Sequence, residues 1–190
     1  TSVTYSNLYF REPESRADQT RMMSIVTTGA ETGYYVDVFR SRKEKGGDKM
    51  HDYFYHNLGQ TLTLTTADGS DLNLQPTEEL AFAGAHLYAY SYLYDKKVAA
   101  TNKDVKATFT IDMKDKDGDD IYMNLWMKGE PDREVFTALA PMTEGLSRTP
   151  NMPYNIKEQP TLTFVARQHG EAWNRPFVSI YEPSTKKEPS

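Results

Sequence analysis

The sequence predicts an all-β protein, an antiparallel β-sandwich of about eleven strands with at most one short helix. Three observations carry this expectation. Apolar and polar residues alternate along short stretches, as in Val105, Ala107, Phe109 and Ile111, and again in Ile121, Met123, Leu125 and Met127. Period-two alternation sets one face of each stretch against a core and the other in water. Asp-Gly pairs stand at Asp68–Gly69 and Asp117–Gly118, where glycine accepts the positive φ of a tight hairpin turn. No stretch carries a sustained helical period.

Taken in order, Thr1–Phe10 reads as a first strand, Arg11–Arg21 as a polar connection containing Pro13, and Met22–Thr28 as a second strand. Gly33–Arg40 is the strongest strand, with Val36 and Val38 on one face and Tyr35, Asp37 and Phe39 on the other. The charged turn Lys43–Lys49 returns the chain into Met50–Asn57 as a hairpin partner. Thr61–Thr66 and Leu72–Leu74 form a hairpin across Asp68–Gly69. Pro76–Tyr94 is mixed: Thr77–Glu79 can open a helical turn, whereas Gly84 and LYAYSYLY favour a strand. The remaining strands are Lys106–Asp112, Ile121–Lys128, Glu134–Leu139, Thr161–Arg167 and Phe177–Glu182. Ala140–Pro160 holds four prolines and no period, so it reads as one long loop, a kind of segment that is often functional. Residues 1–183 are expected to form one domain, and 184–190 a flexible tail.

At 190 residues the chain is long enough to bury a core without metal or disulfide help. Cysteine is absent, which removes disulfides, thiol nucleophiles and zinc–thiolate sites and leaves the redox compartment undetermined. A net charge of −5 works against binding nucleic acid or an anionic membrane. No apolar run approaches the roughly 20 residues of a membrane helix, and no signal segment opens the chain. The start at Thr1 reads as a mature end or as the edge of a piece from a longer protein. Thirteen Tyr stand against eight Phe and two Trp. Tyr is an ordinary strand former, and its ring also suits sugar-binding sheet faces.

Candidate chemistry is sparse. His51 and His56 lie five apart and so face opposite sides of a strand, which spoils them as paired ligands. Asp52 and His56 share a face about 13 Å apart, so a metal would need His86, His169 or Asp37 brought in by folding. Histidines hydrogen-bonded on a sheet are the simpler account, and no metal or cofactor is expected. Asp112–Asp120 is densely acidic, yet placing Gly118 at position 6 of a calcium loop puts Met113 at position 1 and Asn124 at position 12. It reads as a solvated hairpin tip. Two carboxylates of suitable spacing would serve glycosidic hydrolysis, but nothing selects a pair among 27 acidic residues. Gly145–Arg148 lacks the closing glycine of a nucleophile elbow, and Gly46–Gly47 opens no helix that could cradle phosphate. No catalytic residue is assigned. Arg40, Arg148, Arg167, Trp173 and Arg175 are the candidates for substrate contact, because the guanidinium fork matches carboxylate and sulfate. A strand end tied to a neighbouring loop would use the same residues.

Two segments carry a family resemblance. Gly33–His56, containing YYVDVFRSRKEKGGDKMHDYFYH, and Thr163–Pro183, reading TFVARQHGEAWNRPFVSIYEP, resemble the β-sandwich region that follows the helical toroid in heparinase II/III-like polysaccharide lyases. The resemblance implies a bacterial, secreted or periplasmic parent that cleaves uronic-acid polysaccharides by β-elimination. It implies reacting groups supplied largely by the toroid, and a His-x-His metal motif early in the sandwich region. This sequence contains no His-x-His, and His51 and His56 match a downstream strand. The expectation is a non-catalytic C-terminal sandwich that packs on an N-terminal toroid and touches acidic polysaccharide. A stand-alone carbohydrate-binding module is the alternative, and a structural domain whose apolar face belongs to a missing neighbour is a third reading.

Overall fold

The computed structural model describes residues 1–81, 85–113, 118–142 and 156–187. Twelve strands fill most of them: β1 (Ser2–Arg11), β2 (Asp18–Thr27), β3 (Gly33–Arg42), β4 (Met50–Asn57), β5 (Thr61–Thr66), β6 (Gln75–Pro76), β7 (Tyr94–Ala100), β8 (Val105–Ile111), β9 (Ile121–Met127), β10 (Arg133–Ala140), β11 (Thr161–His169) and β12 (Ala172–Thr185). They form a seven-stranded sheet in the order β1-β2-β3-β12-β9-β8-β5 and a five-stranded sheet in the order β4-β11-β10-β7-β6. Every strand pairing is antiparallel. The all-β sandwich expected from the alternation is the fold.

The two sheets meet through their inward alternates. Phe39, Phe177, Tyr181, Leu125, Ala107, Phe109 and Leu64 of the larger sheet pack against Tyr53, Tyr55, Leu162, Phe164, Ala166 and Val135 of the smaller. Such interdigitated apolar faces are what hold a sandwich together. The smaller sheet is also covered on its outer face. There Phe136, Ala138 and Val165 lie under Leu80, Tyr90 and Leu93. That third layer explains why β11 is buried on both faces over Leu162–Gln168.

Several local expectations need correction. The connection Arg11–Arg21 shrinks to Glu12–Ala17, because Asp18–Arg21 already pair with β1 and β3. Leu72–Leu74 form no strand. Gly69 turns the chain at φ 84 and a single bridge joins Thr65 to Asp71. The chain then crosses to the other sheet, with Leu72 and Leu74 packed on the core. The Tyr-rich segment is a 3-10 helix over Ala85–Tyr92 rather than a strand, and the strand follows it as β7. Apolar content alone cannot tell a strand from a coil laid over another layer, and the waiting face of the smaller sheet decides it. A second short 3-10 turn spans Ile156–Glu158, with Ile156 fully buried. The rest of the predicted long loop, 143–155, lies outside the described residues, as does Asp117. The β8–β9 pairing ends at Ile111–Ile121, well before that Asp-Gly pair. β12 runs past Pro183, pairing Ser184 with Tyr122 and Thr185 with Ile121.

Seven strands face only five. β4, the edge of the smaller sheet, packs over β3. β1 and β2 therefore project beyond the smaller sheet as an uncovered two-stranded ledge, and every residue of β1 is exposed.

Candidate site at one end of the sandwich

β3 ends, β4 begins, β11 ends and β12 begins at the same end of the molecule, since Ser41 pairs with Ala172 and His169 with Met50. The Gly170 N–H donates to the Lys49 carbonyl at 2.9 Å, tying two of the loops together. Gly46 and Gly47 both take positive φ, 88° and 73°, which lets Lys43–Lys49 fold back within a short span. Four sequence-predicted contact residues, Arg40, Arg167, Trp173 and Arg175, gather at this end. Arg148 lies outside the described residues.

They do not form one cluster. Arg167 and Trp173 are close in sequence, but the Gly170 turn sends one strand to each sheet. Arg167 consequently sits on the outer face of the smaller sheet. Its fork grips Asp52 at 2.8 and 2.9 Å, and its Nη1 donates to Glu79 at 3.0 Å. Tyr90 donates to the same Asp52 carboxylate at 2.6 Å. Burial pulls the Arg167 pKa down, but the hydrogen bonds and charge of Asp52 outweigh it and leave the group raised. Burial, then the charge of Asp52, raises Tyr90 as well. Arg175 is equally occupied, by Asp132 at 3.0 Å and the carbonyls of Pro131 and His169 at 3.2 and 3.0 Å. Both arginines bind their own chain.

Arg40 and Trp173 do meet, on the outer face of the larger sheet. β12 is bulged between Ala172 and Phe177, and such a bulge re-aims side chains. Arg40 donates to the Trp173 carbonyl. Arg42, two residues on and so on the same face, stacks over the Trp173 ring at 4.2 Å. Asp18 holds this patch in place, accepting from the Tyr9 hydroxyl at 2.7 Å and lying 3.9 Å from Arg42 and 4.0 Å from Arg11. Arg42 also pairs with Glu44 at 3.2 Å. The result is three guanidinium groups and two aromatic rings around two carboxylates. Sequence reasoning missed Arg42 although period two marked it beside Arg40. Arg11 and Tyr9 could not be found that way, because only the strand pairing brings them there.

Between the two faces a cleft of about 650 Å³ opens among Gln19, Phe39, Ser41, His51, Asp52 and Arg167. His51 lies 2.6 Å from Asp48, which also accepts the Lys43 N–H at 2.5 Å. His56 is on the opposite side of β4, as its spacing from His51 requires, with Nδ1 2.9 Å from the Thr163 hydroxyl. His169 pairs with Glu134 at 2.6 Å. No three His, Asp or Glu among the described residues converge to hold a metal. Partial burial lowers the His56 pKa below 6.5. The unfolded chain then binds the proton more readily, so stability should fall as pH drops below about 6.5. His56→Gln should flatten that slope, read from urea midpoints at about pH 7.5 and about pH 5.

Deeper in, the inner face of β3 carries Asp37, fully buried. Arg21 grips it with 3.0 and 2.5 Å contacts, and the Tyr53 hydroxyl donates to it at 2.6 Å. Tyr53 also meets the Tyr181 hydroxyl. Burial first, then the charge of Asp37, raises Tyr53; burial, then Tyr53, raises Tyr181. Both phenols stay protonated at neutral pH, which leaves neither poised as a general base.

No protein-family model matches the sequence. Over 186 residues the chain is 33% identical to an endo-acting ulvan lyase of Formosa agariphila, an alignment covering 96% of this chain. The chain is similar to part of a polysaccharide lyase. It spans only 21% of that relative's length.

Proposed function

We propose that this chain is the non-catalytic β-sandwich portion of a heparinase II/III-like polysaccharide lyase. It supports a toroid elsewhere in the polypeptide and contributes contacts to an acidic polysaccharide. The observation that carries the reading is the 33% identity along nearly the whole chain to one fifth of an ulvan lyase. The raised phenols and the fully occupied Arg167 support a structural rather than a reacting role. Arg40, Arg42 and Trp173 are the contact residues, since guanidinium forks suit carboxylate or sulfate and an aromatic face suits a sugar ring. A secreted or periplasmic setting follows from the same reading.

The test has two arms. Incubated with ulvan, alginate, hyaluronan or heparan sulfate, the chain should yield no unsaturated product by ultraviolet absorbance. Turnover would overturn the reading. In affinity gels cast with ulvan, Arg42→Ala and Trp173→Ala should each weaken retardation about tenfold, or ~1.4 kcal/mol, without shifting the melting temperature. Retention untouched by either substitution would remove the patch from the proposal.

A further inference from the structure

Among the described residues, the ledge formed by β1 and β2 gathers many of the exposed large apolar side chains. Between Ser2 and Phe10 the edge strand carries no charged side chain. Tyr5 is 72% exposed, Leu8 66% and Val3 61%. Edge strands that remain in water are usually blunted by charge, proline or a bulge. The strand register is regular throughout, with all ten β1 residues paired to β2. On the side facing the smaller sheet, Leu8 and Phe10 of β1 stand opposite Arg21 and Gln19 of β2, while Met23 and Ile25 stand opposite Ser6 and Thr4. Leu8 and Met23 are diagonal neighbours, and all four apolar side chains are exposed. Tyr35 on β3 continues the strip. Phe10, Leu8, Met23, Ile25 and Tyr35 thus form a diagonal apolar band across three strands, flanked by Ser6, Thr4 and the half-exposed Arg21. Exposed apolar groups gathered in this way mark interaction surfaces.

Its shape is a step. The smaller sheet stops at β4, two strands short of the edge of the larger one. A core layer stacked on a sheet sits about 10 Å away, so the step has room for an apolar layer about two strands wide. Pairing with a second copy along β1 would lengthen the larger sheet and leave this strip facing water. A covering layer would bury it.

We infer that the ledge is the docking face for an apolar layer of the same polypeptide, from the part that lies outside these residues. This rests on the reading of the chain as one portion of a longer lyase, in which roughly four fifths of the relative's length is unmatched. Leu8, Phe10, Met23 and Ile25 form the buried centre, with the step against β4 fixing the position. The occupant completes the short side of the sandwich.

Met23 reports on it directly. In the complete native polypeptide, hydrogen peroxide should oxidise Met142, which is 60% exposed, at least tenfold faster than Met23. Leu8→Lys should bring the Met23 rate up toward that of Met142 while circular dichroism stays that of a β-protein. Equal rates in the unsubstituted polypeptide would overturn the inference. So would a two-fold mass by light scattering whose dilution to monomer frees Met23, since the occupant would then be a second copy. Lack of polysaccharide cleavage by a polypeptide that still protects Met23 would sink the lyase reading and leave the docking face standing.

Discussion

Replacing Arg167 by Ala is expected to destabilise the fold by ~3–5 kcal/mol, seen as a lower urea midpoint at unchanged slope. The side chains of Arg167 and Asp52 are both only 7% exposed. Removing the guanidinium leaves the largely buried Asp52 carboxylate with the Tyr90 hydroxyl as its remaining side-chain hydrogen bond among the described residues. Packing goes too, because the guanidinium lies 5.4 Å over the Phe136 ring. The double replacement Arg167→Met with Asp52→Leu should cost less than the single change, since no buried charge is then left unpaired. A loss below about 1 kcal/mol for Arg167→Ala would show that the ion pair is open to water, and would return Arg167 to the set of ligand-contact residues.

The second large effect is expected at Asp37. Asp37→Ala should destabilise by ~2–3 kcal/mol, below the usual ~3–5 for a broken buried pair, because Arg21 keeps 44% of its side chain exposed and regains water. The remaining loss comes from the Tyr53 hydroxyl, which is buried and loses its acceptor. Tyr53→Phe should cost about 1–2 kcal/mol, since it removes the hydroxyl's bonds to Asp37 and Tyr181 while its ring packing is retained. Thermal and urea unfolding of the two variants check the order. If Tyr53→Phe proved as harmful as Asp37→Ala, the hydroxyl pair of Tyr53 and Tyr181 would outrank the ion pair in joining the sheets.

These two networks also show where sequence reasoning stops. Tyr35, Asp37 and Phe39 are marked as one face by spacing alone, and the structure turns that face inward. Nothing in the spacing says that the face would hold a buried carboxylate while Val36 and Val38 look outward, because Arg21 and Tyr53 come from other strands. Arg167, Gln168, His169 and Trp173 look like one polar, aromatic cluster along the chain. The turn at Gly170 divides them between two sheets, and Trp173 instead meets Arg42. Which guanidinium and aromatic side chains come together therefore depends on pairings that local pattern cannot show.

The sequence by itself determined the strand-rich class, most strand positions, the opposite facing of His51 and His56, and the absence of thiol chemistry. These follow from period two and from residue identity, both local. Tertiary structure alone decided which sheet each strand joins, that the Tyr-rich segment coils over the smaller sheet, and that β1 and β2 overhang it. Those outcomes turn on which apolar faces find a partner across the molecule, a contest between distant segments that no single stretch of chain can register.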